Sequence, residues 1–116
     1  MLGSFKYAVQ GIKDALKSER NLRIHFGFSI FALAMSFALK LNAVEFSVVI
    51  LTIFVVVILE FINTAIEKLA DIVHPDKSEK IRIVKDISAG VVLMGAIASI
   101  LVGIFLFLPK ILGLFI

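Results

Sequence analysis

The chain has 116 residues, 60% of them hydrophobic, and a mean hydropathy of +1.07. A soluble domain of that size has too little polar surface to cover so much apolar material, so length and composition predict a single membrane-embedded domain over residues 1–116. The absence of cysteine excludes a disulfide framework and a thiolate metal centre, and two histidines exclude a three-histidine zinc site within one chain.

The net charge of +3 and an isoelectric point near 9.4 would by themselves suit nucleic acid. The charges, however, gather at one end of the apolar segments, where topology and anionic lipid account for them, and no nucleic-acid partner is expected. The N-terminal stretch does not read as a secretory signal, because Lys6, Lys13, Asp14 and Lys17 interrupt it before any apolar core develops.

Residues 4–20 predict an amphipathic surface helix. Phe5, Ala8, Val9, Ile12, Ala15 and Leu16 recur at three- and four-residue spacing, while Lys6, Gln10, Lys13, Asp14 and Lys17 mostly take the other side. Ser4 is a candidate cap. The plainer alternative is a helix packed on a soluble partner.

Ile24 to Leu39 carries no charge and makes about 24 Å of helix, a little short of a ~30 Å hydrocarbon core. Arg23 and Lys40 flank it and can snorkel to make up the difference. The first span is thus expected at about 24–40, followed by a short turn containing Asn42.

The second span is expected over 43–73. Its apolar run from Phe46 to Leu59 meets Glu60 without a break signal and resumes beyond it on other faces. On a helix, Asn63, Thr64, Glu67 and Asp71 all fall within about 60° of the Glu60 direction. Counted from Val44, Glu60 lies about 24 Å along and Glu67 about 34 Å along, just inside and just outside the hydrocarbon edge. Ionisable groups at that depth are costly and mark functional sites by default.

His74-Pro75-Asp76 should stop this helix, and Lys77, Lys80, Arg82 and Lys85 make the next stretch basic. Helix can resume from Ser78. The third span is expected at about 86–109, uncharged from Ile87 to Pro109 and ended by Pro109 and Lys110. Its Gly95, Ser99 and Gly103 form a small-residue stripe suited to close helix packing. All basic residues but Lys40 and Lys110 fall on the side of the N-terminus and the second loop. The positive-inside rule then puts that side in the cytoplasm and the C-terminus outside a plasma membrane.

One face therefore collects Glu19, Glu60, Asn63, Glu67, Asp71, Lys85 and Asp86. The mixture suits phosphoryl transfer. Mg²⁺ takes one or two carboxylates plus phosphate oxygens, lysine neutralises phosphate charge, and a carboxylate can accept a proton from an attacking hydroxyl. Glu60 and Glu67 are about 10 Å apart along the axis, too far to share one ion easily but able to bracket a phosphoryl group. No Walker A sequence, H-R-D or D-F-G is present, so the spacing alone supports an acidic site at a membrane edge and nothing more specific.

Three blocks carry a resemblance: E-x-x-N-T-A-I-E at 60–67, K-D-x-x-A-G-x-V at 85–92 and E-R-N-L-R-I-H at 19–25. Together with the layout of three spans and a surface helix, the chain resembles the prokaryotic diacylglycerol kinase family, most of all its undecaprenol kinase branch in Gram-positive bacteria. The resemblance implies an all-α integral membrane homotrimer with sites between protomers. It further implies ATP- and Mg²⁺-dependent phosphorylation of a lipid alcohol, with undecaprenol as first choice and diacylglycerol as the alternative.

By resemblance, Glu60 is the catalytic base, and Glu19 and Glu67 hold Mg²⁺ with ATP. Asn63 places the γ-phosphate or the base, Lys85 and Asp86 bind nucleotide, and Tyr7 contacts it. Ser88, Ala89 and Gly90 depart from the diacylglycerol branch, which has Gly-Ser-Ala there, and the loop before Lys85 is short. Both features weigh against an acyl-glycerol acceptor.

Plainer readings compete for single residues. Glu60 can be a structural contact between spans, Glu19 an i,i+4 partner of Arg23, Lys85 a snorkelling anchor, and Asp71 a solvated helix end. His25 and His74 read as interface or turn residues. Two rivals concern the whole chain: a non-enzymatic oligomeric membrane subunit, and an ion or proton carrier along the Glu60–Glu67 stripe. Carriers commonly show internal repeats or broken helices, and none is found.

Overall fold

The structure is a computed structural model that describes residues 2–74 and 78–116. The expected stop at Pro75 and Asp76, and the charge of Lys77, lie outside the described residues. Four helices follow one another: α1 (Leu2–Ser18), α2 (Arg20–Ala38), α3 (Ala43–Val73) and α4 (Glu79–Phe115). The last three are long and apolar enough to cross a membrane.

α1 begins at Leu2, so Ser4 lies inside the first turn and does not cap it. A single extended residue, Glu19 (φ −114°, ψ 111°), separates α1 from α2. Arg23 reaches back across this break and donates to the carbonyls of Leu16 and Lys17 at 2.7 and 3.0 Å. A cation on the last carbonyls of a helix satisfies groups that would otherwise go unpaired. Arg23 is therefore occupied by α1, and the plainer reading of Glu19 as its i,i+4 partner does not hold.

α2 ends earlier than the apolar pattern suggests. Lys40 adopts φ 55°, in the left-handed region, and the N–H groups of Lys40 and Leu41 donate to the carbonyls of Phe37 and Ser36. That is a Schellman arrangement, with lysine in the position glycine usually fills. α3 then starts with a capping box: Glu45 N–H donates to Asn42 Oδ1 at 2.9 Å, and Asn42 N–H donates to Glu45 Oε1 at 3.0 Å. From there α3 continues unbroken past Glu60 to Val73.

α4 corrects the expected end at Pro109. The helix runs through Pro109 to Phe115. Proline removes one hydrogen bond and strains a helix interior, but the terminal turns gain a tertiary anchor. Lys110 Nζ sits 3.2 Å from Glu45 Oε1, tying the end of α4 to the first turn of α3. At the other end α4 begins at Glu79, as helix resuming after Ser78 requires, and so extends well beyond the uncharged stretch.

α3 and α4 pack closely at Gly95. A Cβ built there would lie 2.7 Å from Leu59 Cδ1, so the absence of a side chain sets the approach. Gly103 has space around it and does not serve as a second close contact. Few large side chains are buried: Leu22, Val49 and Val56 form the interior with Ala15 and Ala70. Rings such as Phe28 and Phe105 face outward, as lipid-facing or partner-facing surfaces do.

Candidate active site

The polar stripe of α3 turns inward, between α2 and α4. Glu60 is only 6% exposed, and Thr64, one turn on, is buried too. His25 of α2 supplies Glu60 with a partner, its Nε2 lying 2.9 Å from Glu60 Oε1. Counted from Ala43, Glu60 stands about 25 Å along α3. A carboxylate this enclosed and this far along an apolar helix requires such a partner.

One turn further along α3, a second group links it to α4. The Ser88 hydroxyl donates to Asn63 Oδ1 at 2.6 Å, and Asn63 Nδ2 donates to Glu67 Oε1 at 3.2 Å. With its oxygen held by Ser88, the Asn63 amide has its nitrogen side turned to Glu67. The remaining Glu67 oxygen has no partner among the described residues.

Further out the charges pair with one another. Lys85 Nζ donates to Asp71 Oδ1 at 2.5 Å, so Asp71 is an ion-pair partner across α3 and α4 and not a freely solvated helix end. Arg82 Nη1 donates to Asp86 Oδ2 at 2.6 Å and also engages Glu79. Lys85 and Asp86 are neighbours in sequence but take different partners.

The contacts join Asn63, Glu67 and Ser88 in one group and set Lys85 beside Asp71 one turn beyond Glu67, while Glu60 pairs with His25 and Asp86 with Arg82. The chain does not bring Tyr7 or Glu19 into side-chain contact with them. Tyr7 is 77% exposed on α1, and the Glu19 side chain caps nothing; neither has a partner among the described residues.

Among the described residues no three His, Asp or Glu side chains converge as a protein-only metal cage. Mg²⁺ has no need of one, since it binds through one or two carboxylates and completes its shell with phosphate and water oxygens. The Glu67 oxygen left without a partner among the described residues fits that requirement.

Two residues of the site were missed in the sequence. His25 pairs with the buried carboxylate from another helix, and no spacing rule connects the two positions. Ser88 figured only as a departure from a family pattern, although a buried hydroxyl near a helix start commonly has a partner.

An apolar groove of about 570 Å³ lies between α2, α3 and α4. His25 lines it at one end, with Ser29 and Ala32 of α2, Val56 of α3, and Ala96 and Gly103 of α4 along its walls. A smaller cavity of about 250 Å³ borders Asn63 and Ser88.

Comparison with known proteins points the same way. The family model described as prokaryotic diacylglycerol kinase matches residues 6–107. A Synechocystis protein named diacylglycerol kinase is 40% identical over 115 residues, covering 98% of this chain and 66% of that protein, so the chain spans just under two thirds of it. A Bacillus subtilis protein named undecaprenol kinase is 33% identical over 107 residues, covering 92% of this chain and 87% of the relative. A Haemophilus influenzae diacylglycerol kinase is 30% identical over 79 residues, covering 68% of this chain and 67% of that protein. The matched stretch contains α2, α3 and every polar residue described above on the first turns of α4, and the chain belongs to the prokaryotic diacylglycerol kinase family of membrane lipid kinases.

Proposed function

We propose that this chain transfers the γ-phosphate of ATP to the hydroxyl of a membrane lipid, with undecaprenol as the preferred acceptor. The reading rests on one observation above all. Glu60 is buried at the lipid end of a polar stripe whose water end carries Glu67, Lys85 and Asp86. A lipid alcohol arriving within the bilayer and a nucleotide arriving from water meet between these ends.

In this mechanism the Glu60 carboxylate accepts the hydroxyl proton as the alcohol oxygen attacks the γ-phosphorus. The bond to the β-phosphate oxygen breaks and ADP leaves. Asn63, oriented by Ser88, presents its amide to the phosphate or to Glu67. Lys85 exchanges Asp71 for phosphate oxygens, and Asp86 holds the nucleotide. Glu67 and Glu19 would hold Mg²⁺, which would neutralise phosphate charge.

The N-terminus and the site face the cytoplasm and the C-terminus lies outside. α1 rests in the headgroup layer with its lysines towards water. The unpartnered state of Tyr7 and Glu19 supports a homotrimer in which these residues complete the site of a neighbouring copy. Diacylglycerol is retained as second acceptor because the 40% identical Synechocystis relative bears that name.

The deciding experiment offers undecaprenol and diacylglycerol in competition with radiolabelled ATP and resolves the extracted products by chromatography. Label in undecaprenyl phosphate is expected. Label mainly in phosphatidic acid overturns the acceptor, and label in neither overturns the enzyme.

A further inference from the structure

Glu60 has a single side-chain partner among the described residues, and that partner comes from another helix. The two side chains are enclosed to different degrees. Glu60 is 8% exposed in its side chain and His25 28%. His25 also lines the head of the apolar groove, which follows α2 from His25 to Met35, about 15 Å of helix. Glu60 is not among the groove's lining residues. The imidazole therefore stands between the head of the groove and the carboxylate.

A glutamate has several rotatable bonds, and a base misplaced by about 1 Å loses on the order of 10² in rate. A donor held on one oxygen fixes the side chain and leaves the second oxygen for the alcohol. A neutral imidazole with its proton on Nε2 does so without adding a charge at membrane depth. We infer that His25 is a positioning residue for the lipid-side half of the reaction: its Nε2 holds Oε1 of Glu60 and leaves Oε2 as the oxygen that takes the proton of the alcohol. The inference rests on the lipid-kinase reading above. His25 keeps its proton throughout, and the hydroxyl proton passes to Glu60 alone.

Two amide substitutions separate positioning from packing. In His25→Gln the terminal nitrogen reaches roughly where Nε2 lies; in His25→Asn it falls short, near Nδ1. Both are polar and uncharged. The purified proteins are assayed with wild type for kcat, KM for ATP, KM for the lipid alcohol, and thermal midpoint in the same detergent.

His25→Gln is expected to keep kcat within about fivefold of wild type, and His25→Asn to lose about 10- to 100-fold, both with KM for ATP unchanged. The inference is overturned if His25→Asn turns over like wild type, if both variants fall equally, or if the loss appears in KM for ATP. If His25→Asn does not fold, His25→Gln decides alone: retention within about fivefold supports the inference, and a loss of about tenfold or more overturns it. Wild type that labels neither undecaprenol nor diacylglycerol sinks the lipid-kinase reading itself, whereas an active wild type with an indifferent His25→Asn sinks only the role of His25.

Discussion

The two halves of the candidate site differ in how much of themselves one chain can build. On α3 and α4 nearly every polar side chain has a partner: Glu60 with His25, Asn63 with Ser88 and Glu67, Asp71 with Lys85, Asp86 with Arg82. On α1 and the break after it, Tyr7 and Glu19 have none among the described residues. The first half is preorganised by packing. The second is left for whatever binds there, nucleotide or a neighbouring copy. Preorganised groups act without reorganising during the reaction, which is where proton transfer and phosphate alignment need them.

Substitutions on each side test the contrast. The largest effect is expected from Glu60→Gln, which should lower kcat by about 10² to 10⁴ while nucleotide binding persists. Near-wild-type turnover would remove the carboxylate as base and the contrast with it. Next come Glu67→Gln and Glu19→Gln, each expected to weaken MgATP use by about 10- to 100-fold, as loss of a charge-assisted contact does. Kinetics at varied Mg²⁺ and a thermal scan read both. A Glu19→Gln protein with normal Mg²⁺ dependence would detach the α1 side from the site.

Ser88→Ala removes the donor that orients Asn63 and is expected to cost about 1 kcal/mol, a rate drop of several-fold with KM for ATP raised in parallel. An unchanged KM would mean that the amide is oriented by something else. Asp71→Asn should do least to stability, about 0–1 kcal/mol in a denaturation measurement, because its pair with Lys85 is largely exposed to water. A clear loss of folded protein would show that the outer charges hold the helices together.

What was legible in the sequence divides along physical lines. The continuity of α3 past Glu60 was readable because helical periodicity survives on its other faces. The passage of α4 through Pro109 was not, since a local rule predicts a stop and a distant contact, Lys110 with Glu45, holds the turns beyond it. The carboxylate stripe was readable from spacing on one helix. Its partners were not: His25, Ser88 and Lys85 meet it from other helices, and single-helix periodicity carries no information about which turn of a neighbour arrives opposite. Arg23 shows the same limit, its expected partner Glu19 being replaced by carbonyls of the preceding helix.

The salt link between Lys110 and Glu45 has one more implication. The tight Gly95–Leu59 approach packs the same two helices, α3 and α4, at mid-length, whereas the exposed Asp71–Lys85 pair at the opposite extremity adds little. A bulky hydrocarbon seeking room in this molecule cannot prise those two apart without undoing a fastening. The apolar groove lies on the other side of that pair, between it and α2, and at its head His25 joins α2 to α3 through Glu60.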